Sequence, residues 1–416
     1  MAGQPQTASG TKNRFLFPLM LNVFFNMFGF MLIIPVIPDL LLEITGEGAK
    51  TAAIHGGYFL FVFALFQFLL MPFFGLLSDR IGRRLVLLFA LAALCFDYLV
   101  MALADNLTTL YIGRMVAGAF GATAVTANAY ICDIFKGEER AKYFGYIGVF
   151  SALGIIAGPI IGGLGSQYSV RLPFFIAAAL AAINFIIMLA LLKESHVTNR
   201  STGSFPWAKA NPFAFFKTAF KRGRVSALIL VDVLLSLGDM GYYAVFTFVT
   251  IVKFGWSPVD IGWCLMLYGI SGLIGQGLVV DRSVKRFGID TSIIIGLTAS
   301  FCVAFIIGIS GSAFWIYFTI PISAFSGIFS AVITTKIAGL VPDSQQGEIH
   351  GILGASTGLV LMAGPLIMTA VFQYSAGQAN GSFYDTWLYG SPFLLSALLC
   401  LLALGLFLKI GRGQAS

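Results

Sequence analysis

The stretch GLLSDRIGRRLVLLFALAALCFDYLVMALA (75–104) carries the two signals that decide the fold. From Leu85 to Ala104 it holds one charge, Asp97. A helix of about 20 residues spans the ~30 Å apolar core of a bilayer. The residues before it, Gly75 to Arg84, gather two glycines, an acid and three arginines into a turn that belongs in water. The rest of the chain repeats this alternation. Apolar runs fill 15–42, 54–77, 85–104, 107–132, 143–165, 172–192, 224–251, 260–280, 290–309, 313–335, 349–374 and 385–408. Hydrophobic residues make up 58% and charged residues 10% of the 416, and the mean hydropathy is +0.91. No soluble domain hides that much apolar surface. In lipid every backbone amide needs a partner within the protein, so runs this long are helices. The expected fold is an all-α membrane protein with twelve transmembrane helices, here spans 1 to 12.

The net charge of +7 could suggest a nucleic-acid partner, but its distribution does not. With the N-terminus inside, 21 of the 25 basic residues fall in inner loops and termini. The outer loops keep Lys50, Arg171 and Lys253, and Arg114 lies within span 4. This is the positive-inside bias, read at insertion, with both termini cytoplasmic. The run from Phe15 is too long for a signal-peptide core, so no cleaved leader is expected. Residues 1–14 and 409–416 read as cytoplasmic tails, the first of them mobile. The five cysteines form no CxxC pair and no cluster with histidine, so they read as packing residues, and neither metal nor cofactor is expected. There is no GxxxxGK[ST] loop to drive the protein with ATP. No nucleophile constellation or appended soluble domain speaks for a membrane enzyme or a receptor.

The longest polar stretch, 193–223, divides six spans (15–192) from six (224–408), and its PFAFFKTAFK (212–221) could form a short amphipathic helix. The halves echo each other. GLLSDR (75–80) returns as GLVVDR (277–282), 202 residues on. Gly145 is followed thirteen residues later by Gly158-Pro159, and Gly351 thirteen residues later by Gly364-Pro365, an offset of 206. Two echoes at nearly one spacing indicate an internal duplication. Parallel six-helix repeats are an architecture in which substrate binds at the midplane between two rocking halves.

With these residues together, the chain resembles a major facilitator superfamily transporter over its full length. Within that superfamily it is similar to the twelve-helix drug:proton antiporters, and most of all to the tetracycline efflux branch. The motifs are GLLSDRIGRR (75–84), YIGRMVAGAFGA (111–122), GIIAGPIIGG (154–163) and IIPVIPDLL (33–41), with DYLVMALA (97–104) and ERAKYFG (139–145) in support. The resemblance implies two pseudo-symmetric bundles and alternating access. It implies a conformational latch in Gly75, Asp79, Arg80, Gly82, Arg83 and Arg84, with Asp133 as partner of the arginines. This latch would hold the inner side shut while the outer side is open. The second-half copy, Asp281 and Arg282, lacks the glycine-arginine turn and should be weaker. An antiporter hinge is implied in Gly154, Gly158, Pro159, Gly162 and Gly163. Small residues four apart give one smooth helix face, and the proline bends the helix. Plain tight packing is the competing account.

An arginine inside a span must face protein or water, so Arg114 reads as functional, with a purely structural hydrogen-bond hub as the competing account. The resemblance implies that it lines the cavity and steers a nearby acid. Three acids lie well inside spans: Asp97, Asp232 and Asp239. Asp232, Ser236, Asp239 and Tyr243 share one stripe of span 7. In this fold spans 1, 4, 7 and 10 line the cavity, which makes Asp239 the first candidate proton carrier, then Asp232, then Asp97. For Asp97 a structural pair within the first half is as good a reading. The tetracycline branch carries ionisable groups at the positions held here by Asn26, Gly272 and Ser300. Coupling has then moved to span 7, or the substrate differs, or coupling is lost. Candidate cavity residues are Asn22, Asn26, Phe30, Gln67, Asn128, Ser236, Tyr242, Tyr243, Gln276 and Thr334, with Phe246 as a possible aromatic wall. For Asn22 and Asn26, hydrogen bonding between helices is the competing account.

The reading is a secondary active transporter of a bacterial inner membrane. It exports a small organic molecule against protons, bears no nucleic acid, contacts membrane lipids and works as a monomer. A proton-coupled importer or facilitator of a nutrient, metabolite or siderophore-like compound is the alternative.

Overall fold

The computed structural model describes residues 9–121, 123–135, 138–195, 223–342, 345–379 and 385–412. The 193–223 linker, beyond its two ends, lies outside them, as does the 212–221 stretch. Among the described residues there are helices and no strands. Among the described residues, nine helices are long and apolar enough to cross a membrane, and a bent pair makes ten. The twelve expected spans are recovered once two merged or divided pieces are read by their backbone. Pro258–Ile309 is continuous in apolarity but turns back at Gly288, whose φ of 78° leaves the helical region. Leu107–Ala119 and Thr123–Ile134 together form span 4. Spans 2, 3, 5 and 6 are Ala49–Ile81, Arg83–Leu103, Glu138–Ser166 and Leu172–Leu191. Spans 11 and 12 are Gln346–Gly377 and Ser391–Arg412. Span 1 begins at Ser9, within the stretch expected to be a mobile tail.

The duplication is visible in which helices touch. Span 1 packs on 5 and 6, span 2 on 4, and span 3 on 4 and 6. Span 7 packs on 11 and 12, span 8 on 10, and span 9 on 10 and 12. Each pairing of the first half has its copy six spans later. Between halves, span 5 lies against span 8 and span 2 against span 11, again a matched pair.

Spans 1, 4, 7 and 10 hold the same place in each three-span unit, and each is broken. Span 1 bends by 50° between Ser9–Ile33 and Ile37–Thr45. Pro35 lies within that break and Pro38 in the first turn after it, and neither has an amide hydrogen to give a helix. Span 4 breaks at Phe120 and Gly121, and Gln67 Nε2 donates to the freed Gly121 carbonyl at 2.8 Å. Span 7 breaks at Val245, between Arg224–Ala244 and Phe246–Phe254. Span 10 breaks at Gly327, between Ala313–Ser326 and Ile328–Ala338. Span 8 is interrupted differently, by a π-helical segment Gly275–Val279.

One face of the molecule carries the arginine turns at Gly82 and Gly288, and is called here the basic face. Toward the opposite face the two halves share one apolar core, which runs from Phe28, Phe59 and Phe174 to Phe246, Phe248 and Phe372. Toward the basic face the core splits in two, around Tyr130 and Met188 in one half and Phe329 and Phe407 in the other. Span 2 touches span 11 at Gly57 with Thr369 and at Phe68 with Gly358. Further along the same helix faces, Gly75 and Gly354 have nothing near. The halves are therefore closed at the opposite face and parted at the basic one. The exposed belt of Leu99, Leu103, Ile183, Ile186, Leu398 and Leu402 is the surface that lipid covers.

Candidate functional site: two chambers between the halves

The helix breaks converge on two chambers. Every break contributes a wall residue: Ile34 of span 1, Gly121 of span 4, Phe246 of span 7 and Gly327 of span 10. The first chamber, of about 330 Å³, lies mainly in the second half. Asp239, Tyr242 and Phe246 of span 7 line it with Tyr268 and Gln276 of span 8, and Pro159 of span 5 closes it from the other half. Asp239 is the ionisable carboxyl on this wall. Behind the wall, Tyr268 meets Thr319 hydroxyl to hydroxyl at 2.5 Å, and Ser271 donates to the Ile320 carbonyl at 2.6 Å. These bonds fix span 8 to span 10.

The second chamber, of about 450 Å³, lies mainly in the first half. Asn26, Phe30, Gln67, Tyr98 and Arg114 line it, and Met240 and Pro365 close it from the second half. Met31, Ile155 and Tyr243 belong to both chambers. The positions singled out as departures from the tetracycline branch all face these spaces: Asn26 in the second chamber, Gly272 and Ser300 in the first.

Arg114 does not reach toward Asp239. Its Nε donates to Asp97 Oδ1 at 2.9 Å, and its Nη2 is ion-paired with Asp97 Oδ2. The guanidinium also lies over the Phe59 ring at 4.5 Å and near the Phe63 ring at 5.4 Å. Asp97 is out of solvent and its carboxylate is taken up by this pair within the first half. Asn22 lines neither chamber. It is fully buried and accepts from Asn184 Nδ2 at 3.0 Å, which ties span 1 to span 6. Ser236, Asp232, Asn128 and Thr334 lie outside both chamber walls. Asn128 is exposed, and Thr334 turns its hydroxyl to the Ser330 carbonyl at 3.2 Å. The chambers occupy one depth of the bundle, so a stripe along a whole helix meets them with only part of its length.

At the basic face, Arg83 sits between two acids, 2.5 Å from Asp79 and 3.3 Å from Asp133, and donates to Ser78 Oγ at 2.5 Å. These bonds lie within the first half. Arg84 instead donates to the Leu189 carbonyl at 2.6 Å. Gly82 has φ 106°, a conformation that side-chain-bearing residues avoid, which is why one residue suffices to turn span 2 into span 3. In the second half Asp281 pairs locally with Lys285 at 2.6 Å, and Arg282 donates to its own helix at Leu278. The reason is spacing. Asp79 stands three residues before its turn glycine and Asp281 seven before Gly288, one helical turn or about 6 Å farther back. A different pair, Asp290 with Lys336, joins spans 9 and 10.

The glycines of span 5 divide between two tasks. Gly154, Gly158 and Gly162 lie on the backbone of span 1 from Phe24 to Leu32, within their own half. Gly163 lies on Pro258 and Val259 of span 8, and the Pro159 carbonyl on Gly262, across the halves.

The Major Facilitator Superfamily profile matches residues 19–323 and 234–415. The class C tetracycline resistance protein of Escherichia coli is 36% identical over 387 residues, 93% of this chain and 96% of that one. The quinolone resistance protein NorA of Staphylococcus aureus is 29% identical over 86% of this chain and 90% of its own. Among solved structures, the nucleoside transporter NupG has a TM-score of 0.75 at 13% identity, covering 96% of this chain and 99% of that one. The human organic anion transporter MFSD10 has a TM-score of 0.68 at 21% identity, covering 95% and 100%. Profile, full-length relatives and fold agree with the paired bundles and their matched interfaces: the chain belongs to the Major Facilitator Superfamily of membrane transporters.

Proposed function

We propose that the protein expels a small, amphipathic organic compound from the cytoplasm of a bacterium in exchange for protons, by alternating access, and works as a monomer in the inner membrane. The observation that carries this reading is the placement of Asp239. It is the ionisable carboxyl of the first chamber, six residues before the span 7 break, in a chamber walled by both halves. A carboxyl there can bind a proton or face a substrate, and its access changes as the halves rock. The full-length relatives named for tetracycline and quinolone resistance support export over import. The basic face is the cytoplasmic one by the positive-inside bias, so the described conformation opens inward.

The test is direction. In inside-out vesicles with an acid interior, a fluorescent quinolone or tetracycline should accumulate, and a protonophore should abolish the accumulation. Accumulation that ignores the proton gradient, or that runs only in right-side-out vesicles, would overturn the reading.

A further inference from the structure

Span 3 starts with a defect. Its N-cap is Gly82, which has no side chain to accept the first free amides of the helix. The glycine is required there, because φ is 106°. The missing acceptor comes from 110 residues away. Glu194 Oε1 accepts from the Arg83 amide at 2.8 Å, and Oε2 from the Arg84 amide at 3.2 Å. Its carboxylate packs where a Cβ on Gly82 would stand. The favour is returned: Arg84 places its guanidinium on the Leu189 carbonyl, at the C-terminal end of span 6. An anion sits at one helix N-terminus and a cation at the other helix's C-terminus, both favourable to the helix dipoles. The next residue continues the link, since Ser195 Oγ donates to Asp133 Oδ2 at 3.1 Å. Tyr130 of span 4 donates to the Lys193 carbonyl at 2.7 Å.

We infer that Glu194 is a positioning residue of the transport cycle. By capping span 3 from the end of span 6, it holds the 82–84 turn so that Arg83 stands between Asp79 and Asp133, and it anchors the start of the inter-bundle linker to that turn. Among the described residues the second half shows no such device. A Cβ on Gly288 would meet nothing among the described residues. The inference rests on the transport reading for its consequence, though its geometry does not.

Glutamine at 194 keeps one acceptor oxygen for two amides, so Glu194→Gln should suffice as the test, with Glu194→Asp as the partial rescue. In full-length protein with the native cysteines replaced by alanine, Gly354→Cys reports opening at the basic face to a water-soluble maleimide. Glu194→Gln should change that labelling severalfold, because it alters the balance between conformers. It should lower the maximal rate of quinolone transport about tenfold, the effect of a modest shift between conformers, with half-saturation and melting temperature near those of the parent. Glu194→Asp should lie between. Parental labelling and rate in Glu194→Gln would overturn the inference, as would a loss of rate accompanied by an equal loss of melting temperature. If the parent moves no quinolone, the transport reading fails, and the labelling arm still decides the role of Glu194.

Discussion

Arg114 on span 4 holds Asp97 on span 3 with a 2.9 Å hydrogen bond from Nε to Oδ1, and both side chains are buried. Taking one partner away leaves a buried charge with no counter-charge, which costs about 3–5 kcal/mol, whereas removing both together costs much less. Asp97→Asn and Arg114→Gln should each lower the melting temperature of the purified protein, and the double variant should recover much of the loss. Additive losses would show that the two residues do not act as a pair.

Asp239 should separate binding from coupling. Asp239→Asn removes the exchangeable proton and keeps the side chain's shape. It should abolish accumulation driven by a proton gradient while substrate exchange continues. If proton and substrate compete at this carboxylate, binding to the parent strengthens as pH rises, and binding to the variant does not change with pH. An unchanged profile in Asp239→Asn would move the carrier to Asp232.

Arg83 and Asp133 carry the geometry of the basic-face turn. Arg83→Ala and Asp133→Asn should reduce turnover and leave half-saturation largely intact, because a few kcal/mol between conformers is enough to trap one of them. Normal turnover in both would reduce the motif to a signal for membrane topology.

The span 5 glycines should give different phenotypes. A Cβ at Gly158 would stand 2.7 Å from the Phe28 carbonyl, so Gly158→Val overpacks spans 1 and 5 and should cost about 1–3 kcal/mol of stability. Gly163→Val presses on span 8 instead and should loosen the opposite face, measured as new maleimide labelling there. As a control, a Cβ at Gly405 of span 12 meets nothing, and Gly405→Ala should behave as the parent.

The spans, the duplication and the glycine stripe were legible because each is a one-dimensional signal: run length, repeat offset, spacing of four. The helix breaks were only half legible. Pro35 and Pro38 announce the first, but nothing in GYYAVFTF (241–248) announces the break at Val245. Side-chain partners across spans were the least legible. Asn22 finds Asn184 162 positions away, and Glu194 finds a turn 110 positions back. Such pairs depend on how each helix is rotated against its neighbour, and spacing within one helix does not fix that. Tyr268 was missed because a lone tyrosine in an apolar run gives no signal of the chamber it faces.

The two ties at the basic face have opposite polarity. In the first half a base on span 3, Arg83, meets an acid on span 4, Asp133. In the second half an acid at the start of span 9, Asp290, meets a base on span 10, Lys336. A duplicated chain risks assembling with segments exchanged between its copies while it is being inserted. Here an exchanged span 3 would bring Arg83 beside Lys336, and an exchanged span 9 would bring Asp290 beside Asp133. Both encounters repel, so the opposite signs of the two ties disfavour an arrangement with exchanged spans.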